Sequence, residues 1–473
     1  MTAQLPVRIA GEEVTTPESI VVSSPFDGHE VVVVPKCGPE HVETAVAAAK
    51  AVLAEPLAPW RRAEILEAAA DAVATHRDEL ARIIAEEAAK PIRTARTEAE
   101  RCVLTFRYSA VEARTLAGEM IPIDGAAPGD GKLAFTLRVP RGVVAAISPF
   151  NFPLNLVAHK VAPAIAAGCP VVLKPASQTP WSAIRLQQIL EDECGLPAGW
   201  LNVVTGPGGA VGDPLVEHPD VAVVTFTGSP EVGWAISAKA ASKKVGLELG
   251  NNAPLIIDAS GDWRAAVDKV AVAGFSHAGQ SCISTQRIYV HDSVADEFTA
   301  ALAEQVAGLV VGDPLDEATD VSALISQKET ARVHGWVDDA VAAGASIAVG
   351  GDLVDGVLAP TVLTGVTPDM DVSCNEVFGP VVGITAYDEL DDAFAQANDT
   401  RYGLQAAVFT AELDTALRAA YELDFGGVLV NEVPTFRTDQ MPYGGIGDSG
   451  NTKEGPHFAV REMTRERLVI VQP

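Results

Sequence analysis

Between residues 143 and 230 the chain alternates short apolar runs with amphipathic stretches of several turns, and this rhythm constrains the fold more than any other feature. Apolar runs at 143–147, 170–173, 201–204 and 221–226 read as strands. The stretches 153–167, 180–191, about 210–217 and onward from Pro230 read as helices. Strands this short and this apolar, separated by helices, imply a parallel sheet covered on both faces. Ligands of such sheets lie beyond the carboxyl ends of the strands. A second alternating series runs from Ala253 to about Val430, with strands expected at 255–257, 287–290 and 381–386. The fold class is α/β.

The flanks differ in character. Residues 1–36 read as short strands and turns, with a turn at Pro25-Phe26-Asp27-Gly28 and a strand at 31–34. From about 40 to 117 the pattern is helical: Ile65, Leu66, Ala69 and Val73, then Leu80, Ile83 and Ile84, recur at three-to-four spacing. Residues 118–133 carry Pro122, Pro128 and several glycines before strand-like Ala134-Phe135-Thr136-Leu137. The segment 468–471 reads as a terminal strand able to pair with another element or subunit. No internal repeat, low-complexity tract or long linker is present.

Acidic residues outnumber basic ones, 63 to 34, for a net charge of -29. That argues against unspecific binding to nucleic acid or an anionic membrane, whose phosphates need basic partners. The six cysteines form no CxxC pair and have no histidines at metal-ligand spacing, so no metal site is expected. Cys37, Cys102, Cys169 and Cys194 read as inert packing and Cys374 as structural. No apolar run reaches the roughly 18 residues a bilayer crossing needs, and the amino terminus has no signal-peptide pattern. A cytoplasmic protein is expected.

Two residues carry the chemistry. Cys282 sits in Gly279-Gln280-Ser281-Cys282-Ile283, and Glu248 sits 34 positions earlier in Leu247-Glu248-Leu249-Gly250. A thiol can hold a carbonyl carbon covalently, and a carboxylate can activate the water that releases it. The usual GxGxxG fingerprint is absent. Gly206-Pro207-Gly208-Gly209-Ala210-Val211 ends in Val and by itself reads as a turn. Phe226-Thr227-Gly228-Ser229 is better placed to meet a pyrophosphate, since it ends a strand and opens a helix; an ordinary helix cap is the competing reading.

These segments, with Pro149-Phe150-Asn151-Phe152-Pro153, Leu173-Lys174-Pro175-Ala176, Asn375-Glu376-Val377-Phe378-Gly379-Pro380 and Pro442-Tyr443-Gly444-Gly445, together resemble the aldehyde dehydrogenase superfamily over nearly the whole chain. The resemblance implies a Rossmann-like cofactor domain (1–118 and 141–250), an α/β catalytic domain (251–461) and a small β oligomerisation arm (119–140 and 462–473), assembled as a homodimer or homotetramer. It implies that Cys282 attacks an aldehyde to give a thiohemiacetal, that Asn151 and the Cys282 N–H stabilise its oxyanion, and that Glu248 activates water to hydrolyse the resulting thioester. Relatives that release the acyl group to coenzyme A lack this glutamate.

On the same template Ile147, Ser148, Lys174, Ser177, Gly228, Ser229, Leu249, Glu376 and Phe378 would hold NADP or NAD. Ser177 stands three after Lys174, where relatives preferring NAD commonly carry Glu. A neutral hydroxyl there leaves room for a 2′-phosphate, which slightly favours NADP. Arg101, His159, Ser281 and Arg437 fall on substrate-channel positions. Three basic groups there are expected to select a short aldehyde with an anionic tail. A small neutral hydroxyaldehyde such as lactaldehyde is the alternative substrate. A catalytically silent structural or binding protein on the same scaffold is the alternative from another class, and it sits poorly with an intact Cys282, Glu248 and Asn151.

Overall fold

Five strands form one all-parallel sheet in the spatial order Lys244–Glu248, Val221–Thr227, Val143–Ile147, Val171–Lys174, Leu201–Val203. The computed structural model describes residues 4–473. Every residue of Val143–Ile147 and of Val171–Lys174 is buried, as expected for strands covered on both faces. Helices Asn155–Ala167, Trp181–Asp192 and Pro230–Lys239 follow the strands as the alternation requires. Asn155–Ala167 is buried along its whole length, including His159 and Lys160. It stops at Gly168, whose φ of 83° is left-handed, the conformation that favours glycine at a helix end.

The second sheet has seven strands in the order Ser346–Val349, Thr361–Thr364, Val381–Tyr387, Arg287–His291, Pro254–Ile257, Gln405–Phe409, Gly427–Val430. All its pairings are parallel except the first. Four of these strands and Lys244–Glu248 escape the sequence reading. Gln405–Phe409 is wholly buried yet carries Gln and three small or β-branched residues. Ser346–Val349 and Gly427–Val430 lie at the sheet edges with little burial, so their apolar pattern is weak.

Each sheet has its own apolar core, one built on Val143–Ile147 and its neighbours, the other on Pro254–Ile257 and Arg287–His291. Fully burying a Val or Leu side chain is worth about 1.5–3 kcal/mol, so each body holds its strand ends firmly. A third, antiparallel sheet of Met120–Ile121, Leu133–Pro140 and Thr464–Val471 stands apart from both cores. The terminal strand therefore pairs within its own chain, Leu133 opposite Val471 and Pro140 opposite Thr464. Among the described residues no helix is long and apolar enough to cross a membrane.

Candidate active site

The carboxyl ends of the first sheet open on a cleft of about 1000 Å³ whose far wall comes from the second body. Ile147 and Ser148 follow the central strand, and Lys174 ends the next. Gly228 and Ser229 join strand Val221–Thr227 to helix Pro230–Lys239, and all five line the cleft. Ser177 and Leu249 line it too, as do Glu376 and Phe378 on the opposite wall. The pieces suit a dinucleotide. The Ser229 side chain makes no bond to the first-turn N–H groups of the ten-residue helix it opens; the Glu231 carboxylate accepts from its own N–H and from Ser229, so an anion entering from the cleft would meet this terminus by displacing Glu231. Ser148 Oγ is buried without a partner. Burial lowers Lys174 to about 8, and a phosphate or ribose oxygen would restore its lost solvation. Glu376 is pushed up by burial to about 7 and accepts from Asn251 N at 3.0 Å. The Ser177 hydroxyl donates to Gly206 O at 3.1 Å, so it caps the neighbouring loop and faces the cleft at once.

Cys282 lies on the wall of the same cleft, partly exposed. Its loop is set by backbone geometry. His277, Ala278 and Gly279 are consecutive left-handed residues, with φ of 50°, 53° and 69°. For His and Ala this costs of order 1 kcal/mol each. A Cβ at residue 279 would stand 2.1 Å from Gly379 O, so only glycine fits. Gln280 then anchors the turn. Its side chain accepts from Ile325 N at 2.9 Å and donates to His277 O at 3.2 Å. Its main-chain oxygen accepts from Asn151 Nδ2 at 2.9 Å, which brings Asn151 to the cysteine loop. Asn151 is positioned from behind as well. Glu98, ion-paired with buried Lys90, accepts from Leu154 N at 2.9 Å and Asn155 N at 3.0 Å.

Burial pushes the Cys282 thiol up to about 12, and the nearby carboxylates Glu376 and Glu248 add to this. The sulfur lies 2.9 Å from the Tyr443 hydroxyl. Glu248 ends strand Lys244–Glu248, is buried, and has no hydrogen-bond partner on either carboxylate oxygen. Burial, then the neighbouring Glu454, hold it well above the usual carboxylate range. Gly444 packs closely against it, since a Cβ there would come within 2.7 Å of Glu248 Oε1, and Glu248 lies behind the cleft wall rather than in it. Two buried oxygens without partners are free to take up a proton.

Arg101, His159 and Arg437 do come together, but off the wall of the large cleft and each against a carboxylate. Arg101 Nη2 and His159 Nε2 lie 2.9 Å and 3.0 Å from Asp439 Oδ1. Asn155 Nδ2 donates to the same oxygen at 3.0 Å. Arg437 Nη2 lies 2.7 Å from Glu454 Oε2, and Lys160 Nζ lies 3.7 Å from Glu454 Oε1. Burial raises Asp439, but the His159 hydrogen bond and the charge of Arg101 overcome it and hold the group below the carboxylate range. Burial likewise raises Glu454, yet Arg437, His159 and Lys160 bring it down to about 2. Burial, then Arg437, lower His159, against the pull of Asp439 and Glu454. The guanidinium groups of Arg101 and Arg437 thus face the carboxylates of Asp439 and Glu454, and burial lowers Lys160 beside Glu454. Of the three groups expected in the channel only Arg101 has appreciable exposure, 23 % of its side chain; His159 is at 0 %. Ser281 is partly exposed beside the cysteine but is not in the cleft wall.

Asp439, Glu454, Lys160 and Tyr443 are absent from the candidate residues read from the sequence. Asp439 follows Arg437 by two and Lys160 follows His159 by one, a local signal that charges of both signs are involved. Nothing local marks Glu454. Cys374, expected to be structural, is exposed; the other four expected to pack are buried.

The aldehyde dehydrogenase family model matches residues 13–469. The chain is 45% identical to 3-sulfolactaldehyde dehydrogenase of Priestia aryabhattai over 468 residues, 99% of this chain and 98% of that one. It is 38% identical to lactaldehyde dehydrogenase of Methanococcus aeolicus over 460 residues, 96% and 97% of the two chains. The NADP-dependent glyceraldehyde-3-phosphate dehydrogenase of Bacillus halodurans, solved with NADP, superposes with a TM-score of 0.95 at 36% identity, covering 99% of both chains.

Proposed function

The chain belongs to the aldehyde dehydrogenase family, and from that premise we propose that it oxidises a short aldehyde with an anionic tail to the carboxylic acid, releasing the acid by hydrolysis. The observation that carries this reading is the placing of Cys282 on the wall of a dinucleotide-shaped cleft, with a buried, unpartnered Glu248 acting on its thiol. Cys282 is the nucleophile. It bonds to the carbonyl carbon, and the oxygen that becomes negative takes hydrogen bonds from Asn151 Nδ2 and the Cys282 N–H, worth about 10²–10³-fold per donor. A bound nicotinamide supplies the hydride acceptor. Glu248 then takes a proton from water as that water adds to the thioester carbon, and the C–S bond breaks to release the acid and the Cys282 thiolate. Ile147, Ser148, Lys174, Ser177, Gly228, Ser229, Leu249, Glu376 and Phe378 hold the cofactor. NADP is favoured slightly over NAD, because residue 177 carries a neutral hydroxyl in place of a carboxylate.

The partly exposed Arg101 guanidinium supports the anionic tail, and we assign Arg437, His159 and Ser281 to the same substrate region. The likeness to a relative named for a sulfonated aldehyde supports the anionic tail as well. Lactaldehyde is the second reading, favoured by the Methanococcus relative. The test is a panel of anionic and neutral aldehydes with both cofactors. We expect kcat/KM for the anionic members to exceed that for propanal by about tenfold or more, and Arg101→Ala to raise KM for the anionic substrate alone. Equal effects on both would refute the anionic tail.

The cofactor-binding unit comprises 1–118 and 141–250, the catalytic unit 251–461, and the arm 119–140 with 462–473. The arm leaves Met120, Leu133, Leu468 and Ile470 exposed at 67 %, 47 %, 55 % and 49 %. Apolar surface on a sheet with open edges favours a covering partner, which supports a homodimer or homotetramer. Sedimentation at micromolar protein tests this, and a monomer would refute it.

A further inference from the structure

The hydroxyl of Tyr443 is a group on the reacting sulfur to which nothing above gives a role. Its ring is buried, 2 % exposed, and its oxygen lies 2.9 Å from Cys282 Sγ. A neutral thiol and a neutral phenol can share this contact in either direction. Once the sulfur is a thiolate, the direction is fixed, because a thiolate only accepts. The ring is held where it is. The Arg437 guanidinium stacks on its face at 3.8 Å from the centroid, and Arg437 is itself pinned by Glu454 at 2.7 Å. The main chain of Tyr443 is bridged to Glu454 as well. A cation over the face of a phenol draws electron density from it and makes its O–H a better donor. Tyr443 also packs with Ile283, Leu404 and Met441 around the cysteine, which keeps its hydroxyl on the side of the sulfur turned away from the cleft. Phenylalanine would keep the packing and the stacking while losing only the donor.

We propose that Tyr443 is a catalytic residue whose hydroxyl donates a hydrogen bond to the Cys282 thiolate, while Arg437 acts as a positioning residue that holds the ring for that purpose. The proton of the thiol goes to solvent, and Tyr443 keeps its own throughout. The inference rests on Cys282 being the nucleophile but needs no knowledge of the aldehyde.

The experiment is alkylation of Cys282 by iodoacetamide in the full-length protein without aldehyde, followed from pH 6 to 10, with Cys282→Ser to identify the labelled site. A hydrogen bond to a charged group lowers the thiol pKa by one to two units. The nucleophilicity lost with basicity returns part of that, so Tyr443→Phe should alkylate about three- to tenfold more slowly at each pH. Unchanged or faster alkylation in a folded Tyr443→Phe protein that binds NADP like the wild type would overturn the proposal. Should that variant not fold, 3-fluorotyrosine at position 443, a stronger donor, serves instead. It should speed alkylation at a given pH, and no change would equally overturn the idea. Normal wild-type alkylation with no turnover of any aldehyde would sink the proposed function and leave this inference intact.

Discussion

The two sides of Cys282 are built by opposite rules. On one side the cofactor cleft is open and its polar groups are underused: Ser148 Oγ has no partner, and Ser229 makes no cap bond to the helix Pro230–Lys239. On the other side His159, Lys160, Arg437, Asp439 and Glu454 are buried in a mutually compensated cluster, from which only Arg101 is partly exposed. Unmet hydrogen-bonding capacity in an accessible cleft marks a place where something binds. Compensated charge in a sealed interior marks a place where geometry and potential are fixed in advance. Glu248 is the exception, a buried carboxyl without a partner on the sealed side. Its position fits a group that must accept a proton during the reaction.

The largest effect should come where the two sides meet. Cys282→Ser should lower aldehyde-dependent formation of the reduced cofactor about 10⁴-fold or more while cofactor binding, measured by titration, is retained. Residual turnover within a hundredfold of wild type would mean the sulfur is not the nucleophile. On the sealed side Asp439→Asn strips a buried carboxylate from Arg101 and His159, and removing one partner of a buried pair typically costs about 3–5 kcal/mol. Urea denaturation should show that loss. Because Asp439 titrates below its unfolded value, its contribution is fully present above about pH 4 and is lost as the pH falls toward the folded pKa. The variant should therefore be less sensitive to acid than the wild type. A destabilisation below about 1 kcal/mol would show the cluster to be solvated rather than sealed. Glu248→Gln should slow steady-state turnover about 10²–10³-fold and leave a first-turnover burst equal to the enzyme concentration. In the wild type the hydrolytic step should quicken with rising pH, since burial holds Glu248 well above the usual range and its ionised form is the active one. Loss of the burst in Glu248→Gln would move the residue's role to the first step.

The same division explains what could be read from the chain. Cleft residues are presented by backbone: a strand ends, a glycine follows, a helix begins. Gly228 and Ser229 are thus legible from local pattern, Lys174 only through the family resemblance, and all three line the cleft. The sealed side is assembled by tertiary pairing across more than 300 positions, as in Arg101 with Asp439. A local pattern shows that charges are present but not which carboxylate each one meets. Arg101, His159 and Arg437 could be assigned to one region, while the lowering of His159 depends on the depth of its helix and on Arg437. Edge strands such as Gly427–Val430 are illegible for a related reason. They owe their extended form to a neighbour, Gln405–Phe409, rather than to an apolar face of their own.

The smallest effect, and the finest division, lies at Ser177 on the open side. Its hydroxyl already donates to Gly206 O at 3.1 Å, yet the residue lines the cleft three positions after Lys174. A glutamate there would bring a negative charge toward the adenosine ribose. In a solvent-open cleft, repulsion of a 2′-phosphate by such a charge amounts to about 1–2 kcal/mol, or about five- to thirtyfold in binding. The carboxylate would also accept from ribose hydroxyls, which works in favour of NAD. Ser177→Glu should thus shift the ratio of kcat/KM for NADP over NAD downward by about that factor, and added salt should reduce the shift because the site is open. Ser177→Ala separates the two roles of the hydroxyl. If the side chain only ties the loop through Gly206, both cofactors should lose affinity together; if it meets the 2′-phosphate, NADP alone should suffer. A wild-type preference for NAD above tenfold would overturn the cofactor assignment outright, and a shift in Ser177→Glu that ignores ionic strength would place residue 177 on the sealed side of the comparison.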